Sequence, residues 1–118
     1  MNAICGGLSG EITVKNGADL TASGSANVVV PLSSQDLTLF ATVASLTGGG
    51  SFVFSIQELD PVSLQPAGQS AQTGSMGAGS QPQQCTITGR TSSTVRVAWA
   101  LTGTSSASSI DLSLEATT

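Results

Sequence analysis

Apolar and polar residues alternate one for one in four stretches of this chain. Residues 36–45 place Leu37, Leu39, Ala41 and Val43 on one face. Residues 51–59 place Phe52, Phe54 and Ile56 on one face, with Val53, Ser55 and Gln57 on the other. Residues 94–102 align Val95, Val97, Trp99 and Leu101. Residues 109–117 align Ile110, Leu112, Leu114 and Ala116, leaving Asp111, Ser113 and Glu115 outward. A period of two is the signature of half-buried β-strands. No segment sustains the 3.6-residue period of a helix.

Shorter segments complete the pattern. Residues 11–15 (EITVK) alternate, and Asn16-Gly17 is a two-residue hairpin signal, so residues 19–23 are expected to pair back. Residues 27–32 (NVVVPL) are β-branched, and Pro31 predicts that this strand ends there or lies on an edge. The Gly48-Gly49-Gly50 triplet reads as the loose tip of an antiparallel hairpin. A short strand is expected near Val62–Leu64, then a long Pro/Gly/Ser/Gln loop over about 65–83, and a further strand over 84–88. The expectation is an all-β fold: an antiparallel β-sandwich of about eight strands, jelly-roll-like. It divides into an N-terminal arm, residues 1–10, and one sandwich domain, residues 11–118. At 118 residues the chain is long enough for one core without metal or disulfide staples.

Charge narrows the function. Only 8% of residues are charged, against about 25% in an ordinary domain, so the polar surface is built from Ser, Thr, Gln, Asn and Gly. Such a surface has few self-repelling charges and suits a protein packed in an assembly. The net charge is −4, and Lys15, Arg90 and Arg96 are the only cations. Three scattered cations make no basic stripe for a nucleic-acid backbone and no patch for an anionic membrane. No apolar run is long enough to span a bilayer. Residues 1–5 do not read as a signal peptide, so synthesis in the cytoplasm is expected.

Candidate chemistry is sparse. The chain has no His and no Tyr, which removes the commonest general acid–base and metal ligand, and no enzyme activity is expected. Glu58 and Asp60 are the closest acid pair and read as a solvated strand end. Cys5 and Cys85 lack metal-site or redox spacing; two reduced thiols are expected, with a long-range disulfide as the alternative. No cofactor or metal is expected. Trp99 shares parity with Val95, Val97 and Leu101 and reads as core. Arg90 lies in a turn and is expected to be accessible. Ile4 and Leu8 are apolar residues in a Gly-rich arm that cannot bury them by folding on itself. Ile4, Leu8 and Arg90 are therefore the candidate partner-binding residues.

The order LTLFATVASLTGGG, FVFSIQELDP, TVRVAWALTGTSSA and SIDLSLEA, from Leu37 to Ala116, resembles small phage virion proteins of the head decoration (cement) type. That resemblance implies a non-enzymatic subunit on the capsid surface of a virion. Its partner would be the major capsid protein or another virion protein, and its homo-oligomers would include a trimer. A tail or head-completion protein and a carbohydrate-binding module are the alternatives, the last opposed by an aromatic content of 3%.

Overall fold

A computed structural model describes residues 9–30 and 36–117. Eight strands follow in order: β1 (Ser9–Ala18), β2 (Gly24–Val29), β3 (Asp36–Thr47), β4 (Ser51–Leu59), β5 (Pro66–Gln72), β6 (Gln83–Ile87), β7 (Thr94–Thr102) and β8 (Ala107–Thr117). They form two four-stranded antiparallel sheets, ordered β1-β8-β3-β6 and β2-β7-β4-β5. First pairs with eighth, second with seventh, third with sixth and fourth with fifth. That nesting is a jelly roll, the type of sandwich expected from about eight short strands with frequent turns.

The two sheets close on the inward sets read from the sequence. Leu37, Leu39, Ala41, Ile110, Leu112 and Leu114 face Phe52, Phe54, Ile56, Val95, Val97 and Trp99, all buried. The Phe52 and Phe54 rings lie with centroids 5.7 Å apart. A register irregularity between Val43 and Ser45 takes up one residue of β3, so that Leu46 returns to the buried side.

Several local expectations are corrected. Asn16-Gly17 does not turn a hairpin. β1 runs through it along β8 with register breaks, and the Gly17 N–H donates to Asp111 Oδ1 at 2.6 Å. Residues 19–23 form no strand. β3 and β4 do not pair as a hairpin but enter opposite sheets, and β7 and β8 do the same. The two crossings pack on each other. Gly50 N donates to Thr104 O and Ser106 N to Thr47 O, each at 2.8 Å. A Cβ on Gly50 would lie 2.6 Å from Thr104 O, so the glycines serve close backbone approach rather than looseness.

Val62–Leu64 is a turn and not a strand. The expected 65–83 loop contains β5, and its remainder is tied down. Met76 is fully buried and exchanges two backbone hydrogen bonds of 2.8 Å with Phe52. Thr73 N donates to Phe54 O, while Thr73 Oγ1 accepts from Phe54 N at 3.1 Å. Cys85 is a free, buried thiol whose pKa burial pushes up to about 11. Cys5 lies outside the described residues.

Candidate functional site: the braced β4–β5 turn

The alternation along β4 continues one step beyond its apolar residues. Phe52, Phe54 and Ile56 point inward, and so does Glu58. Its carboxylate sits at the end of the sandwich, 1% exposed. A buried carboxylate needs donors, and the backbone supplies them. Oε2 accepts from Gln69 N at 2.8 Å, and Oε1 accepts from Thr91 N at 2.8 Å and Ser92 N at 2.9 Å. Burial pushes the Glu58 carboxyl up. The Gln69, Ser92 and Thr91 N–H groups and the Arg90 charge outweigh it and hold the pKa below the ordinary value.

Arg90 is 3% exposed, which corrects its expected accessibility. Its Nη1 donates to Val30 O at 2.8 Å and Ser92 O at 2.9 Å. Burial lowers the guanidinium pKa, and the Glu58 charge opposes that shift. Arg90 is thus placed in an internal brace beneath the surface. Ile4 and Leu8, the other two candidate partner-binding residues, lie outside the described residues.

The Glu58 brace joins three pieces of chain: the end of β4, the middle of β5 and the segment at Thr91 and Ser92. Gly68 makes the fit possible. Its φ is +88°, and a Cβ there would lie 2.7 Å from Glu58 Oε2. Gly68→Ala is expected to cost at least about 1–2 kcal/mol, read as a lowered denaturation midpoint, because strained backbone and a displaced carboxylate act together.

Above the brace the chain makes an exposed turn. Asp60 Oδ1 accepts from Val62 N at 2.8 Å and Ser63 N at 3.2 Å, an Asx-type turn. Asp60 N donates to Gln65 O and Leu64 N to Asp60 O, at 2.9 and 2.8 Å. Leu64 is the one described non-glycine residue at positive φ, +59°. That conformation costs an L-residue about 1–2 kcal/mol. Arg96 Nη2 donates to Leu64 O at 3.3 Å from the neighbouring strand β7. The turn then displays apolar groups: Val62 is 90% exposed and Leu64 40%. Beside it is an open hollow of about 300 Å³ lined by Leu59, Asp60, Pro61, Ala67, Ser92 and Ser93. Hydroxyls, one carboxylate and small apolar groups line it.

Sequence reasoning missed this site in two ways. It read Glu58 as solvated although its parity with Phe52, Phe54 and Ile56 was already inward. It placed a short strand near Val62–Leu64, where the Asp60-Pro61 turn signal is the stronger one.

No family model matches the chain, and no curated protein matches it. Among solved structures, two chains match. One belongs to the structure described as "Bacillus endospore appendages form a novel family of disulfide-linked pili". The TM-score is 0.44 at 18% identity, covering 99% of this chain and 96% of that one. That degree of likeness is too low to carry a function from one chain to the other.

Proposed function

We propose that this chain is a non-enzymatic structural subunit that docks on an assembled protein shell, as a phage capsid decoration protein does. The observation that carries this reading is the β4–β5 turn. A well-braced end of the sandwich holds Leu64 in a strained conformation and presents it with Val62 to solvent. Strain kept at an apolar, exposed turn gives the isolated fold nothing, and it is repaid when a partner covers those side chains. The weakly charged surface supports the same reading, since binding then requires little desolvation of charge. The arm carrying Ile4 and Leu8 is proposed as a second contact with the shell.

Cosedimentation of the purified chain with expanded capsid shells from the lysate that produces it tests this. The wild-type chain is expected to bind in hundreds of copies per shell. A chain carrying Val62→Asp and Leu64→Gly should keep or slightly raise its melting temperature, because glycine relieves the Leu64 strain, and should bind at least about tenfold more weakly. A few copies per particle would place it instead in a tail or head-completion position. Undiminished binding of the double variant would remove the turn from the contact.

A further inference from the structure

Four strands border the sheets: β1 and β6 in one, β2 and β5 in the other. A free strand edge presents unsatisfied N–H and C=O groups, and proteins blunt such edges with bulges, prolines, charges or covering chain. Three of the four edges here are blunted. β1 breaks register after Thr13 and again after Lys15, and carries that lysine. β5 opens on Pro66 and loses register against β4 between Gln57 and Leu59. β6 is backed by the β5 segment through side chains: Gln69 Oε1 accepts from Thr88 N at 3.2 Å, and Gln83 Oε1 accepts from Gly74 N at 2.8 Å.

Among the described residues, β2 has none of these devices. It reads GSANVV, without charge or proline, and pairs with β7 over all six residues without a break. Its polarity follows from one bond. Val30 N donates to Ser93 O at 2.7 Å, so the even-numbered residues direct their backbone groups toward β7. In an antiparallel pair these orientations alternate. The N–H and C=O groups of Ser25, Asn27 and Val29 therefore point away from β7, to an edge that no described strand covers. The side chains of the same three residues lie exposed on the outer face of the sheet, Val29 at 71%.

We propose that the β2 edge is the seat for β2 of a second copy of this chain, paired antiparallel about a two-fold axis at Asn27. The strand is complementary to itself in this register. Asn27 meets its own counterpart, and Ser25 meets Val29 in both directions. Each of these three pairs exchanges two backbone hydrogen bonds, and every opposed pair shares a face of the sheet. A shift by two residues loses one pair, and a shift by one opposes inward to outward residues. No charge in the strand meets its own image, and the exposed Val29 side chain is covered against a serine. The two sheets merge into one of eight strands. A contact over five residues, 25–29, is smaller than a standard stable interface, so the dimer is weak in free solution and gains when copies are held side by side. The inference does not rest on the shell-docking reading.

Sedimentation equilibrium of the full chain over a wide concentration range is the test, with a reversible monomer–dimer equilibrium as the expected result. Asn27→Pro deletes an N–H that faces the open edge, so β2 stays paired with β7 while the central bonds of the dimer are lost. Dimerisation should weaken at least about tenfold with little change in melting temperature. Asn27→Lys opposes two like charges across the axis, leaves the backbone untouched and should act the same way. In a Cys5→Ser background, Asn27→Cys should give a cross-linked dimer with a short bis-maleimide, because the opposed side chains share one face with Cα atoms about 5.5 Å apart. A chain that stays monomeric, variants that associate like the wild type, or association without cross-linking would each overturn the proposal. So would fibres, because a two-fold contact closes on itself.

Discussion

Replacing Glu58 by Gln is expected to lower the stability of the isolated domain by about 3–5 kcal/mol, the loss typical of breaking one side of a buried charged network. The shape is nearly conserved, but the amide turns a donor toward N–H groups that Glu58 now satisfies. Oε2 faces Gln69 N, and Oε1 faces both Thr91 N and Ser92 N. No single rotamer of a glutamine serves all three. The substitution also removes the charge that opposes the Arg90 guanidinium. Urea denaturation at neutral pH gives the loss directly, and a drop below about 1 kcal/mol would mean that Glu58 is not the brace.

The same residue sets an acid limit. Its folded pKa lies below its ordinary value of 4.5. The folded state therefore holds the proton less well than the unfolded chain, and the stabilisation is fully present above about pH 4.5. It is lost as pH falls through the lower, folded value. Asp60 is also lowered, by the Val62 and Ser63 N–H groups, and acts in the same direction. Wild-type stability should fall on acidification below pH 4.5, and Glu58→Gln should flatten most of that slope. An equally steep acid limb in Glu58→Gln would assign the dependence to other acids.

Trp99→Ala is expected to cost about 3–5 kcal/mol, the range for a large buried aromatic. For a domain of this size that is a fall of roughly 10–20 °C in melting temperature. Trp99 is 7% exposed and sits across from Phe54 on one side and Gly24 on the other. A Cβ on Gly24 would meet Trp99 Nε1 at 2.9 Å, so the indole fills the space that glycine leaves. Lys15 Nζ lies 5.2 Å from the ring centroid and reaches it from β1 in the other sheet. Removing the ring therefore opens a cavity and releases a contact between the sheets. Far-ultraviolet circular dichroism melts check the loss. An unchanged melting temperature would put Trp99 in a surface role.

Alternation by itself determined most of the fold. Leu37–Val43, Phe52–Ile56, Val95–Trp99 and Ile110–Ala116 each carry a buried face in the residue order, and a sandwich is the economical way to cover four such faces. Pro31 implied that the strand over 27–32 ends there or lies on an edge; β2 borders its sheet and ends at Val29, while Pro31 lies outside the described residues. The inward parity of Glu58 was present in the residue order, but the reading as a solvated strand end passed over it.

Pairing was not legible. Whether Gly48–Gly50 closes a hairpin or carries the chain into the opposite sheet depends on the backbone of Thr104, more than fifty residues away, which packs against those glycines. Asn16-Gly17 is a strong turn signal locally, yet β1 continues because β8 offers it a partner and Asp111 accepts the Gly17 N–H. Arg90 looks like a loop cation until the carbonyls of Val30 and Ser92 and the charge of Glu58 are brought round it. The residue order encodes which face of each strand avoids water, because that is a property of one strand. Sheet membership and the fate of a buried charge are properties of several strands at once, and only the closed jelly roll decides them.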